Sequence, residues 1–376
     1  MPRPTALVVA AESLSPERAK RVAEHHAPEP AFLRVARFLR ADLLTLDSFR
    51  PSIRGQGEND EGYAPLRATK GELPAFPTPV TANAQAFGFL GHEARRRAVD
   101  YDLIVFFGSE AAIGFLRHGA TASVRVVVLA DPALPLAPLL PLHQKKMGPQ
   151  VAKLVTFSPL QHLYATERLR LPPERVELIP LGVDHRFFKA DAAVERVPER
   201  VVVRSRSVDS FAMLEAGVRA AGGQLVLSQE ESGGDAPEQK RRTALSAAEV
   251  ALVSESPSES CAGTQDLLEA MACGCATVAA RTRGLEHLLR DEAEGLYVTP
   301  GKAEEWRAAL KRLLGDPDRA QRMGRAARTK IEETLTLAHF ANRVGRICQA
   351  AADGNRESPE FHLIPSHVAV AEEAGP

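Results

Sequence analysis

Short runs of consecutive apolar residues recur along this chain, and most are followed by a stretch whose apolar positions have helical spacing. Such runs are typical of strands buried on both faces, as in a parallel sheet covered by helices. The predicted strands are 7–10, 43–46, 102–107, 125–129, 154–158, 201–203, 225–227, 250–253 and 276–280. The main predicted helices are 16–26, 32–39, 159–170, 264–273, 304–314, 319–333 and 335–352. The alternation predicts an α/β protein built on parallel sheets.

The length of 376 residues predicts two domains, because one hydrophobic core rarely grows beyond about 250–300 residues. Residues 190–200 are charged and poor in apolar positions, so we interpret them as the hinge. Residues 51–79 predict a long loop, and residues 230–242 a polar connection. The resulting organisation is a first domain at 1–188, a second at 189–334, a last helix at 335–352 and a disordered tail at 353–376.

Composition excludes several classes of protein. Hydrophobic residues at 44% and charged residues at 25% are ordinary globular values, and 47 Lys+Arg against 48 Asp+Glu leave no basic excess for nucleic-acid binding. Four cysteines are too few for a disulfide framework and lack the partner pairs of a zinc site. The apolar run 6–11 is too short for a signal peptide or a membrane span, which predicts a cytoplasmic protein.

Residues 250–274 combine a buried strand, a loop of small residues and a capped helix. Pro257 and four serines favour irregular backbone in the loop, and the helix begins near Thr264 and ends at Gly274 as a left-handed cap. The N–H groups of Gly263, Thr264 and Gln265 lie at the positive end of the helix dipole. This arrangement predicts a phosphate site whose ligand is a diphosphate.

The segments 175–184 (RVELIPLGVD) and 267–274 (LLEAMACG) carry a resemblance, as do the strand 276–280, the tetrapeptide 283–286 (RGLE) and the run 294–298 (EGLYV). In order and spacing they resemble the interdomain linker and donor half of retaining glycosyltransferases of family 4 (group 1). The resemblance covers 154–327, and residues 1–150 fit only by general pattern. It implies a GT-B fold: two Rossmann-like domains that face each other across a cleft, with a C-terminal helix that crosses back to the first domain.

The resemblance also implies which residues bind the donor. Arg206 lies where the family has an arginine that grips the leaving diphosphate, and Arg204 is the nearest substitute for a lysine that this chain lacks. Glu269 lies where the family binds the ribose hydroxyls. The remaining donor-binding candidates are Ser260, Cys261, Ala262, Gly263, Thr264 and Gln265. No metal or other cofactor is implied, because helix N–H groups and arginine can stabilise a departing diphosphate.

The ribose interpretation of Glu269 has a geometric argument of its own. At about 1.5 Å per residue, Glu269 lies several ångströms along the helix from the phosphates, which matches the offset of a ribose. Leu268 and Met271 turn towards the core while Glu269 turns towards the cleft, so substitution at Glu269 is expected to leave the fold unchanged. The alternative is an ordinary exposed glutamate on a helix.

Three features depart from the family pattern at the sugar end. Cys261 stands eight positions before Glu269, where a glutamate is common, although a subset of the family has small residues ending in glycine there. The usual lysine is missing, and the strand ends that often present a histidine carry Glu110 and Asp131 instead. We take Glu110 and Asp131, with Arg206, as the candidate catalytic residues. Asp131 precedes Pro132, so a turn former is its alternative.

These residues favour an enzyme that transfers a sugar from a nucleotide-sugar donor to an unidentified acceptor with retention of configuration. The acceptor class stays open among glycans, lipid-linked molecules, proteins and small molecules. The departures leave two other hypotheses. One is a catalytically impaired protein of this fold with a binding or regulatory function, and the other is a sugar-nucleotide epimerase.

Several charged or aromatic residues have a simpler interpretation. The arginines of helix 32–39 predict a solvated face, with a weak membrane-surface association as the alternative. Lys153, like the lysines at 145 and 146, is expected to be a surface charge. The single tryptophan, Trp306, is expected in the core.

Overall fold

Two parallel sheets, one in each half of the chain, organise this computed structural model. It describes residues 6–10, 12, 14–45, 90–117, 124–131, 148–204, 211–228, 237–254 and 263–354. The predicted loop at 51–79 and the tail from 355 onward lie outside these ranges. All strand pairings in both sheets are parallel, as the alternating pattern predicts.

The first sheet has the spatial order β2-β1-β3-β4-β5-β6. Its strands are β1 (Ala6–Ala10), β2 (Asp42–Leu44), β3 (Leu103–Phe107), β4 (Arg125–Leu129), β5 (Val151–Thr156) and β6 (Val176–Leu178). All five residues of β1 are buried, because helices cover both faces of the sheet.

Ser-Pro pairs start two helices of the first half, since the serine hydroxyl caps a free N–H group and proline suits the first helical position. Ser15 accepts from the Arg18 N–H group and Ser158 from that of Gln161, each at 3.2 Å. The helices are α1 (Pro16–Ala23), α2 (Ala31–Leu39), α3 (Ser109–Leu116) and α4 (Pro159–Leu163), which the π-helix Tyr164–Arg168 continues. Residues 90–97 are also helical, and 3₁₀ turns span Ala98–Asp100, Gly148–Gln150 and Pro173–Arg175.

The second sheet has the spatial order β11-β10-β9-β7-β8. Its strands are β7 (Arg200–Val203), β8 (Gln224–Leu227), β9 (Val250–Val253), β10 (Ala276–Ala280) and β11 (Leu296–Val298). Its helices are α5 (Phe211–Ala220), α6 (Pro237–Ala247), α7 (Gly263–Ala272), α8 (Ala303–Leu314) and α9 (Pro317–Thr334). Trp306 is buried in this core, and Gly274 ends α7 at φ +67°, both as predicted.

The last helix, α10 (Leu337–Ala352), packs against α2 and against β3, β4 and β5 of the first sheet. It therefore crosses back to the first half. Where it does so, the N–H group of Val183 donates to Leu335 O at 2.9 Å and the N–H group of Leu337 donates to Val183 O at 3.0 Å. A Cβ atom at Gly182 would lie 2.6 Å from Thr336 O, so this close approach of two chain segments requires glycine.

The segment predicted as the hinge, 190–200, is attached to the second half. Its Asp191 accepts from Arg242 Nη2 at 2.6 Å, and its Val197 N–H group donates to Ala247 O at 2.9 Å. Arg196 donates to Gly274 O at 2.6 Å. These contacts attach residues 191–197 to the second half, and the domain boundary at 188/189 stays a prediction.

Two further predictions are wrong. Residues 237–247 form α6 although we interpreted 230–242 as a polar connection; the helix buries Ala244 and Leu245, and its arginines have acidic partners. Lys153 is buried because β5 begins at Val151 and includes it. Its ammonium group donates to Glu177 Oε1 at 2.6 Å and to Glu174 O at 2.7 Å.

Both arginines of α2 have an acidic partner within the first half. Arg37 Nη1 lies 2.7 Å from Glu29 Oε1, and Arg34 Nη1 lies 3.6 Å from Glu29 Oε2. No helix in the described ranges combines the length and the apolar character that crossing a bilayer requires.

Candidate functional site

The topology of each sheet identifies one edge where a ligand can bind. The chain order reverses between β1 and β3 in the first sheet and between β7 and β9 in the second. Ligands of open α/β sheets bind beyond the carboxyl ends of the strands at such reversals. Glu110 follows β3, Arg204 follows β7, and α7 is the helix after β9.

A cavity of about 440 Å³ lies between the two halves at these edges. The first half contributes Glu110 and Asp131 to its lining, and the second half contributes Arg241, Gln265 and Glu269. The structure therefore brings four of the predicted site residues to one cleft. Arg206, Ser260, Cys261 and Ala262 lie outside the described ranges, so their placement stays a prediction.

Helix α7 begins at Gly263, one residue before the predicted start, and lies at the second-half side of the cleft. The side chain of Thr264 is fully buried at this N-terminus, and its hydroxyl has no hydrogen-bond partner within the described part of the chain. A buried hydroxyl normally has a partner. Together with the helix dipole, it forms a polar end suited to an anionic ligand.

Glu269 turns towards the cleft, as predicted, but it is not exposed. Its side chain is 3% exposed and forms a two-point ion pair with Arg241: Nε to Oε2 at 3.0 Å and Nη2 to Oε1 at 3.3 Å. Gln265 Nε2 donates to the same Oε1 at 3.0 Å. The premise that this position lies outside the core is therefore wrong, and substitution would leave Arg241, which is 13% exposed, without its partner. The alternative of an ordinary exposed glutamate is excluded as well.

Arg204 lies at the carboxyl end of β7, where its guanidinium group pairs with Asp266 of α7. Both residues line a second, smaller cavity of about 30 Å³. Arg241 and Glu269 line this cavity and the cleft, so their ion pair separates the two spaces. Burial raises the pKa of Asp266 to about 6, although Arg204 opposes the shift.

Glu110 and Asp131 occupy the first-half side of the cleft. Glu110 lies in the first turn of α3 after Gly108, whose φ of +93° favours glycine. Gln161 holds the backbone of Asp131 by donating to its carbonyl oxygen at 3.1 Å. Burial raises the pKa of the Glu110 carboxyl, and the neighbouring charge of Asp131 raises it further. Glu110 therefore keeps its proton to higher pH than an isolated glutamate.

Two residues of the site, Arg241 and Phe188, are not singled out by any sequence pattern. The Arg241 guanidinium carbon lies 5.9 Å from the centre of the Phe188 ring, which belongs to the segment that joins the two halves. Arg328 holds the same segment by donating to Phe188 O at 2.9 Å and to Ala272 O at the end of α7. The sequence signal for this part of the site is the pair of adjacent arginines, Arg241 and Arg242. Because we interpreted 230–242 as a polar connection and not as a helix, this signal did not point to the cleft.

Comparisons with known proteins agree with this geometry. Residues 209–346 match the family described as glycosyl transferase-like. The chain is 26% identical over 307 residues to the D-inositol 3-phosphate glycosyltransferase of Segniliparus rotundus, covering 68% of this chain and 67% of that protein. It is 26% identical over 236 residues to the MMP alpha-(1->4)-mannosyltransferase of Mycolicibacterium hassiacum, covering 55% and 56% of the two chains.

Solved structures show the same architecture. Sucrose-phosphate synthase from Thermosynechococcus elongatus superposes with a TM-score of 0.62 at 15% identity, covering 93% of this chain and 100% of that one. Anabaena HepE in complex with UDP-glucose superposes with a TM-score of 0.60 at 14% identity, covering 93% and 98%. The protein therefore has the GT-B fold, as predicted. Within that class, the chain resembles glycosyltransferases of family 4 (group 1).

Proposed function

We propose that the protein transfers a sugar from a nucleotide-sugar donor to an acceptor, with retention of anomeric configuration and without a metal ion. The observation that carries the proposal is the single cavity lined by Glu110 and Asp131 of one half and by Gln265 and Glu269 of the other. A transferase needs donor and acceptor in contact, and a cleft between two domains provides this.

The donor is proposed to bind along α7. The diphosphate lies at the N-terminus, where the N–H groups of the first turn and the buried Thr264 hydroxyl stabilise the charge that develops as the leaving group departs. Arg204 and Arg206 are the further cations that the sequence predicts for this leaving group. Their positive charge replaces that of a metal ion.

The ribose is proposed to bind at Glu269. Glu269 lies five residues beyond Thr264, which corresponds to about 7.5 Å along the helix axis. A carboxylate has about four lone-pair sites, and Arg241 and Gln265 occupy three of them. Glu269 therefore retains acceptor capacity for a ribose hydroxyl.

The acceptor is proposed to bind against the first half. Glu110 and Asp131 lie at the strand ends that face the donor side. There a carboxylate can receive the proton of an acceptor hydroxyl group that attacks the anomeric carbon from the face that the diphosphate leaves, as retention requires. The raised pKa of Glu110 makes its carboxylate a stronger base than an ordinary glutamate, which suits it for accepting a proton.

Incubation with nucleotide sugars tests the proposal. UDP-glucose and ADP-glucose are the first donors to use, because HepE and a starch synthase from Arabidopsis thaliana with this fold were solved with UDP-glucose and with ADP. The expected result is a glycosidic product whose anomeric configuration, measured by NMR, equals that of the donor. Inversion would contradict retention. Binding without turnover supports a regulatory protein, and an epimerised donor supports the epimerase.

A further inference from the structure

The cleft has few positive charges on its donor side. Of the described residues that line the cavity, Arg241 is the one cation from the second half, and Arg18 is a cation of the first half. Arg204 lines the smaller cavity, where Asp266 neutralises it. Arg241 is therefore the described second-half cation that lines the cleft in which a donor diphosphate is proposed to bind.

Glu269 holds the side chain of Arg241 in place, while part of its guanidinium group can still donate hydrogen bonds to a ligand. Its Nε and Nη2 atoms each donate one hydrogen bond to Glu269. An arginine has five N–H donors, so three remain after this two-point contact. The described residues show no further hydrogen bond from Arg241, and its side chain borders the cavity.

Phe188 limits the orientations of this guanidinium group. The ring lies 5.9 Å from the guanidinium carbon, and the carbonyl group of Phe188 accepts from Arg328 at 2.9 Å. A cation held between a carboxylate and an aromatic face does not have to reorganise when an anion arrives. Planar guanidinium groups of this kind bind phosphate oxygens with two parallel hydrogen bonds.

We propose that Arg241 binds the donor phosphate nearest to the ribose, while Glu269 binds the ribose itself. The inference rests on the proposed function, because it requires a nucleotide along α7. It assigns two tasks to one ion pair: the carboxylate recognises the sugar hydroxyls of the nucleoside, and the guanidinium group recognises the adjoining phosphate. Arg241 thus contributes to donor binding from α6, a helix that is separate from the loop after β7.

The test compares UDP with 2′,3′-dideoxy-UDP by isothermal titration, with ADP and GDP and their dideoxy forms used if UDP does not bind. Arg241→Gln removes the charge, and Lys240→Gln is the matched control because it removes one charge from the neighbouring position of the same helix. Melting temperatures check that each variant is folded.

A direct phosphate contact predicts that Arg241→Gln weakens both ligands by the same factor, about tenfold to a hundredfold, and that Lys240→Gln changes neither by more than about twofold. If Arg241 acts only by positioning Glu269, Arg241→Gln weakens the binding of UDP and leaves the binding of dideoxy-UDP unchanged. That result overturns the proposal, as does a loss no larger than that of the lysine control.

If Arg241→Gln does not fold, Arg241→Lys decides the same question, since it keeps a charge beside Glu269 but loses the planar fork. The phosphate contact is supported if Arg241→Lys lowers the affinities for UDP and for dideoxy-UDP by about threefold or more each and leaves their ratio as in the wild type. The phosphate contact is overturned if the ratio of the two affinities falls towards one, or if neither affinity is reduced. A wild-type protein that binds none of the three nucleoside diphosphates instead refutes the proposed function.

Discussion

The acidic residues on the two sides of the cleft have different charged neighbours. On the second-half side, Glu269 faces Arg241 and Asp266 faces Arg204, so each acid has an opposite charge within reach. On the first-half side, Glu110 and Asp131 are like charges, and burial and this repulsion raise the pKa of Glu110. Opposite pairs fix side chains in one geometry, whereas like charges favour holding a proton. The ion pairs of the second-half side support the proposal that it binds the donor, and the raised pKa of Glu110 supports the proposal that the first-half side takes up the proton.

The largest expected effect comes from breaking the central pair of the donor side. Glu269→Ala leaves Arg241 largely buried without its carboxylate, so we expect the free energy of unfolding to fall by about 3 kcal/mol. Glu269→Gln keeps one acceptor oxygen, but its amide nitrogen is a donor and cannot accept from Arg241, so this variant is expected to lower the free energy of unfolding by about 2 kcal/mol. Urea denaturation of both variants measures the difference. Equal stability of the alanine variant and the wild type contradicts a structural function of the pair.

Substitution of Glu110, on the first-half side of the cleft, is expected to lower turnover without changing donor binding. Glu110→Gln removes a proton-transferring carboxyl group, so we expect the transfer rate to fall about a hundredfold while UDP affinity stays unchanged. Because the pKa of Glu110 is raised, the wild-type rate should decline as pH falls through that pKa, where the base becomes protonated, and the variant should lose this dependence. Glu238→Gln is a control, because Glu238 lines the same cavity from the second half. A variant with the wild-type pH profile excludes Glu110 as the base.

A smaller effect tests whether Asp266 restrains Arg204. With a folded-state pKa of about 6, Asp266 carries its charge at pH 7.5 and loses most of it at pH 5.5. Arg204, Arg241 and Glu269 are the charged groups that act on it. Protonation releases Arg204, so UDP affinity should rise as pH falls through 6, and Asp266→Asn should bind UDP about fivefold tighter than the wild type at pH 7.5. Titration of both proteins over this pH range separates Asp266 from the ligand's own phosphate, which titrates identically in both experiments.

The smallest expected effect concerns the attachment of residues 190–200 to the second half. Asp191→Asn loses the charged partner of Arg242, so trypsin should cleave near Arg196 about two- to threefold faster than in the wild type. Asp318→Asn serves as the control, because Asp318 is an exposed acid in the first turn of α9. Rapid cleavage of the wild type at 190–200 restores the original hinge prediction.

Much of the fold was predictable because buried parallel strands have a strong local signal. The run 125–129 was predicted with the observed bounds of β4, and Gly274 was predicted as the cap that its positive φ confirms. Lys153 was misplaced because its burial depends on Glu177, 24 positions later in sequence. Helix α6 was missed because its polar residues pair with acids from other elements, such as Glu269 and Asp191. Pairing between distant residues is what sequence patterns do not show.

The same limit applies to the candidate site. The family resemblance identified Glu269, and helical geometry directs its side chain towards the cleft. Its partner Arg241 was not found, because the contact spans 28 positions and joins two helices. Local periodicity predicts where a side chain points, and tertiary packing decides what it meets.

The contact between Val183 and the residues that precede α10 has a consequence for how the reactants meet. Both crossings between the halves lie side by side there, joined by two hydrogen bonds at 2.9 and 3.0 Å. Tethering at one place makes the approach of donor and acceptor surfaces an intramolecular event with a high effective concentration. Two surfaces on one chain meet without the loss of translational entropy that separate molecules incur. The meeting of donor and acceptor surfaces is thereby an event within one chain and not an encounter of two molecules.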